Sequence, residues 1–143
     1  MNSIDNAIAR LQDLVQQCTD VVIKSAPDYP IENADPFPMS AAYISAGTFT
    51  FTNASTTHLF PVISLEIHFS RVNIKNTYQN INAIALELPR RLAADPTLGG
   101  YISSIVATKD QPVNFTVSPF DWGGVRSEML KFDIPVKTLQ API

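Results

Sequence analysis

The sequence predicts a single α+β domain: two amphipathic helices packed on one face of an antiparallel or mixed sheet of about four to six strands, with a β-hairpin projecting beyond it. Three patterns carry that expectation. Apolar residues recur at three- and four-residue spacing over residues 4–22 and 78–92; apolar and polar residues alternate over 43–70 and 130–137; and the second helix runs through Asp95-Pro96-Thr97-Leu98-Gly99-Gly100 into a segment with strand character. All 143 residues are expected in one domain, because a lone helix on one side of the proline-rich stretch could not bury its own core.

The first helix is assigned to residues 1–24. Ile4, Ala7, Ile8, Leu11, Leu14, Val15, Cys18, Val21 and Val22 form its stripe, with Asn2 or Ser3 as N-cap and Asp5 in the first turn. Residues 25–42 contain Pro27, Pro30, Pro36 and Pro38, which fix φ and push preceding residues to extended conformations, so they read as a connector with a short edge strand at most.

Residues 43–70 read as a hairpin. Phe49 and Phe51 share one face and Thr48, Thr50 and Thr52 the other; after turn residues 53–57, Ile63, Leu65, Ile67 and Phe69 alternate with Ser64, Glu66, His68 and Ser70. Strand character over His58–Ser70 spans on the order of 40 Å, longer than an ordinary strand. Part of the hairpin should therefore overhang its own sheet, with Pro61 at an edge, bulge or bend.

The second helix is assigned to 76–93, with Asn76 or Thr77 as cap, Tyr78, Ile81, Ile84, Ala85, Leu88 and Leu92 inward, and Pro89 kinking or shortening it. Gly99-Gly100 supply the positive φ that turns the chain back. Strands follow over 100–138: Tyr101–Thr108, a turn at 109–112, Val113–Val117, a loop at 119–124 carrying Phe120 and Trp122, and a last strand with Leu130, Phe132, Ile134 and Val136 inward and Lys131, Asp133, Pro135 and Lys137 outward. Residues 139–143 should fray.

Composition narrows the function classes. A net charge of −3 and one basic pair, Arg90-Arg91, argue against a surface built to wrap nucleic acid, and the pair suits the C-terminal end of a helix dipole. A single cysteine on an apolar stripe is expected as a buried thiol in a reducing compartment, and no apolar run is long enough to span a membrane. The expected protein is soluble and intracellular when made.

No catalytic, cofactor-binding or metal-ligating set is expected. His58 and His68 lie ten residues apart without metal-ligand spacing, no G-x-S-x-G is present, and Gly99-Gly100 follow a helix instead of opening one. His68 is expected beside Glu66 on a polar strand face, solvated or at an interface. Asp121, between two aromatics, reads as a turn residue without a catalytic partner.

The order of elements, together with Leu65-Glu-Ile-His-Phe-Ser-Arg71, Ile84-Ala-Leu-Glu-Leu88, Asp95-Pro-Thr-Leu-Gly-Gly-Tyr101 and Lys131-Phe-Asp-Ile-Pro-Val-Lys137, resembles the tail terminator (tail completion or neck) proteins of tailed bacteriophages over roughly residues 1–138. The resemblance implies a virion protein of the tail or neck, assembled in the host cytoplasm. It implies a hexameric ring that ends tail-tube growth and meets the head connector, with no catalytic residues and no cofactor. Its implied partners are further copies of the chain, the tail tube protein, the head–tail connector or adaptor, and the sheath protein where the tail is contractile; DNA is passing cargo and no membrane is involved. The proline-rich residues 27–38 and Pro89 depart from the family's usual pattern.

An overhanging hairpin leaves strand edges that a neighbouring copy can complete. Thr48, Phe49, Thr50, Phe51, Phe60, Val62 and Ser64 are therefore candidate subunit contacts, with core filling as the rival role for the phenylalanines. Phe120, Asp121 and Trp122 are candidate partner contacts, with burial beneath their own loop as the rival. Two other functions compete: a head-completion adaptor or tube-like subunit of the same particle, and a small ligand-binding or hydrolytic domain with a pocket between sheet and helices near Trp122 and His68.

Overall fold

The computed structural model describes residues 3–32, 37–53, 56–138 and 141–142. The N-cap candidate Asn2, Pro36 and the hairpin tip at 54–55 lie outside them. Strand β1 (Met39–Asn53) pairs antiparallel with β2 (Thr56–Ser70), which pairs antiparallel with β5 (Arg126–Lys137). On its far side β5 takes β4 (Asn114–Asp121) and then the two-residue β3 (Ser104–Ile105), while β6 (Ala141–Pro142) extends the β5 side of β2. Helices α1 (Ser3–Gln17) and α2 (Ile74–Ala94) complete an α+β fold on one antiparallel sheet.

The core forms where the alternating apolar faces of β2 and β5 meet the helix stripes. Ile63, Leu65, Ile67 and Phe69 stand beside Leu130, Phe132 and Ile134, and over them lie Leu11, Leu14 and Val15 of α1 and Ile81, Ile84 and Leu88 of α2. Removing such side chains from water is worth roughly 1.5–3 kcal/mol each before entropy is counted. Cys18 joins this core, donates its thiol hydrogen to the Leu14 carbonyl, and has its pKa raised chiefly by burial.

The first helix stops at Gln17 instead of reaching residue 24, and Val22 is 69% exposed. Local hydrogen bonds take the chain away: Cys18 N–H reaches only to Val15 O, Thr19 Oγ1 accepts from Val21 N–H, and the Gln16 amide bridges Val21 O and Ile23 N–H. The β-branched residues at 19 and 21–23 favour that extended course. Residues 24–27 then lie along the root of β1, with a parallel bridge from Ser25 to Met39, and the first strand starts at Met39, four residues before the expected Tyr43.

Asn73, rather than Asn76 or Thr77, caps α2, its side chain accepting from Asn76 N–H; Thr77 instead donates its hydroxyl to Ser70 O. Tyr78 is not in the core but at the rim, where its hydroxyl donates to Glu128 at 3.1 Å. Pro89 does not end the helix: it lies on the exposed side, and buried Leu88 and Leu92 hold the turns around it. Arg90 and Arg91 both face Glu87, and Arg91 also donates to Gln17 at the end of α1.

The expected strand over Tyr101–Thr108 shrinks to Ser104–Ile105. Leu98, Gly99 and Gly100 all have positive φ, and Thr97 O receives both Gly100 and Ile102 N–H, so the turn consumes residues 97–103. Pro135, which is buried, accepts from Val106 but has no N–H to return, so that ladder ends at once. Conversely β4 runs on to Asp121 through the expected loop, and Ala141–Pro142 pair with Thr56 and Thr57 where a frayed tail was expected.

Two measurements test this packing. Leu88→Ala should lower the free energy of urea unfolding by about 2–5 kcal/mol, whereas Leu86→Ala, at an exposed position of the same helix, should stay within about 0.5 kcal/mol. Asp95 accepts from Gly99 N–H and from Arg10, and these bonds hold its carboxyl below the ordinary range. Its contribution is thus complete at neutral pH and lost as pH falls through the lowered folded value, so the stability gap to Asp95→Asn should be widest near neutrality and close in acid.

Candidate assembly interface

The root of the hairpin is enclosed and its distal half is not. β5 accompanies β2 only from Val62 to Ser70, and beyond that Thr138 N–H reaches Leu59 O and β6 meets Thr56 and Thr57. On the outer edge of β1, Ser25 and Pro27 carbonyls accept from Ser40 and Ala42 N–H. Among the described residues, no strand pairs with that edge past Ala42.

Pro61 sits at the boundary between the two halves. Leu59, on the same side of the strand, presents its carbonyl toward the β5 side, so the missing Pro61 N–H faces the place where β5 has ended and Pro61 keeps its pairing with Gly47 of β1. Opposite stands Gly47, where a Cβ would come within 3.1 Å of Pro61 Cα and 3.2 Å of Phe60 O. Of the edge, bulge or bend expected at Pro61, the strand shows the edge, and an irregularity lies one pair away on the partner strand, between Ile44 and Ala46, with a second nearer the tip between Phe51 and Asn53.

Phe49 and Phe51 do not fill the core. They are 63% and 65% exposed, their rings meet edge to face at 5.8 Å, and Leu59, across from Phe49, is 41% exposed. Thr48 and Thr50 are exposed on the other face, while Phe60 and Val62 are half-buried beside a hollow of about 380 Å³ with Thr48, Val106 and Pro135. Ser64 is corrected as a contact: it is fully buried, hydrogen-bonded to Ser45 at 2.6 Å and to Asp133 at 2.9 Å, and braces the arm's root.

At the opposite edge of the sheet the helices do not reach β4. Its Phe115 and Val117 stay exposed, and with Pro89, Leu92, Ala93 and Val113 the first of these lines an apolar groove of about 530 Å³ between the end of α2 and the β3–β4 segment. Sequence alternation alone could not locate it, because it arises where a helix ends short of an edge strand.

On the face away from the helices, the expected solvated pair is in fact enclosed. His68 is 1% exposed beneath Phe120 and Trp122, with ring centroids 5.5 and 5.0 Å away. Trp122 Nε1–H donates to Ser127 Oγ at 3.1 Å, and that oxygen lies 3.2 Å from His68 Nδ1. Glu66 Oε1 stands 3.7 Å from His68 Nε2, and Tyr43 donates its hydroxyl to Glu66. The polar contact with His68 and the Tyr43 bond hold the Glu66 carboxyl below the usual range against the opposing effect of burial, while burial and Glu66 raise the Tyr43 pKa.

Serine, histidine and glutamate in line suggest a relay, but Ser127 is buried and its oxygen serves Trp122, so the row works as a strut. It also lies on the face opposite the helices, which corrects the pocket expected between sheet and helices. Asp121 closes the β4–β5 turn by accepting from Gly124 N–H at 2.7 Å, as a turn residue should. The sequence signal for this cover was the period-two spacing of Phe120 and Trp122, which puts both aromatics on one strand face.

Among the described residues no group of three or more His, Cys, Asp or Glu side chains could hold a metal ion, and no helix is long and apolar enough to cross a membrane. Set against models of known families and against curated proteins, the chain matches none. Ser127→Ala should leave the half-buried indole N–H and the buried His68 ring without this partner and lower unfolding free energy by about 1 kcal/mol, read from urea melts followed by Trp122 emission.

Proposed function

We propose that this chain is a structural virion protein that closes a ring at the head-proximal end of a phage tail, ends tube polymerisation and joins the tail to the head connector. The observation that carries the reading is the arm. A two-stranded ribbon with exposed Phe49, Phe51 and Leu59, and with no strand partner on its distal outer edge among the described residues, is a surface that a neighbouring subunit completes. Closed cyclic symmetry uses each such surface once per copy and leaves none open. Six copies, a tube protein on one face and a connector on the other follow from the family resemblance, and on this reading the protein has no catalytic residues.

The enclosed back face supports the same reading. A strut of buried His68 and Ser127 under half-buried Trp122 stiffens the sheet from which the arm springs, as a docking element requires. A head-completion adaptor or tube-like subunit would draw on the same arm and differs in how far assembly runs.

Light scattering coupled to size exclusion, with and without the tube protein, should show a discrete ring, and electron microscopy should show annuli instead of long cylinders. Phe49→Ser together with Phe51→Ser should abolish that assembly while leaving the monomer's melting temperature within about 2 °C, because both side chains are exposed. A strict monomer under every condition removes the proposal, and long cylinders transfer it to the tube-like role.

A further inference from the structure

Building on the ring reading, we infer that the arm of one copy seats Phe49 and Phe51 in the apolar groove between α2 and β4 of the next copy. Both surfaces belong to the same chain and each lacks a cover. In their own chain Phe49 and Phe51 remain about two-thirds exposed, no arm residue lines the groove, and Phe115 on the groove's floor is half exposed. The arm springs from the β1–β2 side of the sheet and the groove lies along β4, on the other side of β5. A contact between two different patches on opposite edges is head-to-tail, the kind that generates rings when the rotation closes.

The chemistry of the two patches agrees. The groove walls are Pro89, Leu92, Ala93 and Val113, with no charged side chain among its lining residues, and the arm brings two phenyl rings and Leu59 without a charge. A volume of about 530 Å³ is large enough for two phenyl rings. The outer edge of β4, like the distal edge of β1, has no strand partner among the described residues, so an arm lying over Phe115 brings free backbone groups together as well. Arm-to-arm pairing in a two-fold dimer would leave both grooves uncovered.

Area decides how such a contact behaves. At roughly 200 Å² per aromatic side chain, the exposed parts of Phe49 and Phe51 offer about 250 Å², far below the ~800 Å² per partner of a stable pair. One arm in one groove therefore does not hold a dimer. In a ring every copy inserts one arm and receives another, so closure doubles the contact per copy and assembly is all-or-none in protein concentration.

Disulfide trapping in the full chain tests this. With buried Cys18 replaced by alanine, Phe51→Cys and Ala93→Cys are prepared separately, each at an exposed position, and folding is checked by thermal melting. Mild oxidation of the mixture should yield at least ten-fold more linked dimer than either variant alone, and a chain carrying both cysteines should give a ladder ending at the closed ring. If light scattering shows an oligomer yet the mixture does not link, the arm docks elsewhere and the ring reading survives without this inference. Linking by Phe51→Cys alone identifies arm-to-arm pairing and overturns it. A strict monomer in every sample, with the tube protein added, removes the ring and this contact together.

Discussion

Everything in this fold is organised by β2, a fifteen-residue strand that its own chain can enclose along only part of its length. From Val62 it has β1 on one side as far as His68, β5 on the other as far as Ser70, helices over one face and the aromatic cover over part of the other. A strand in that position needs apolar residues on one face and paired polar groups on the other, which is how Ile63, Leu65, Ile67 and Phe69 alternate with Ser64, Glu66 and His68. From Thr56 to Phe60 the same strand has β1 and only brief contacts with the C-terminal segment. Its apolar residues there have no helix above them, so the burial that stabilises the root is unfinished at the tip.

The two faces of the root settle different questions. The helix face supplies most of the driving force, since apolar burial is non-directional and scales with area. The polar face adds direction: Ser64 can satisfy Ser45 and Asp133, and Ser127 can satisfy Trp122 and His68, in one register only. A slip of β2 by one residue would place leucine and isoleucine under Trp122 and leave these groups unpaired, which fixes the direction in which the arm leaves the sheet.

How much of this was legible in the sequence follows from where local rules meet tertiary ones. Both helices, the hairpin and the inward face of β5 were readable because periodicity reports which side of an element is buried. Cap positions and ends were less so: Asn73 took the N-cap from Asn76, and side-chain bonds from Gln16 and Thr19 stopped α1 despite a stripe that continued to Val22. The burial of His68 was hidden because its cover comes from β4, brought there by a register with β5 that no local pattern encodes. The exposure of Phe49 and Phe51 was hidden for the converse reason, since alternation identifies an apolar face but not whether a helix is long enough to reach it. Ser64 belongs with the root and Thr48 with the arm, a division set by where β5 ends.

An arm with two exposed phenylalanines is an aggregation hazard, and its design limits what it can join. Pro61 withholds a backbone donor on the β5 side, where another chain could otherwise add a strand to β2. The irregularity between Ile44 and Ala46 interrupts the outer edge of β1 at the point where residues 24–27 stop covering it, so a foreign strand cannot pair continuously along the whole strand. On the second face Thr48 and Thr50 are exposed side chains of β1, and Phe60 and Val62 are half-buried beside them. What remains open is one apolar face and a short stretch of one edge, a combination that a flat, generic β-stack satisfies poorly and a shaped apolar recess beside an edge strand satisfies well. These restrictions leave the arm a narrow class of partners, and a groove on an identical chain, as proposed above, is one that is always present at matching concentration.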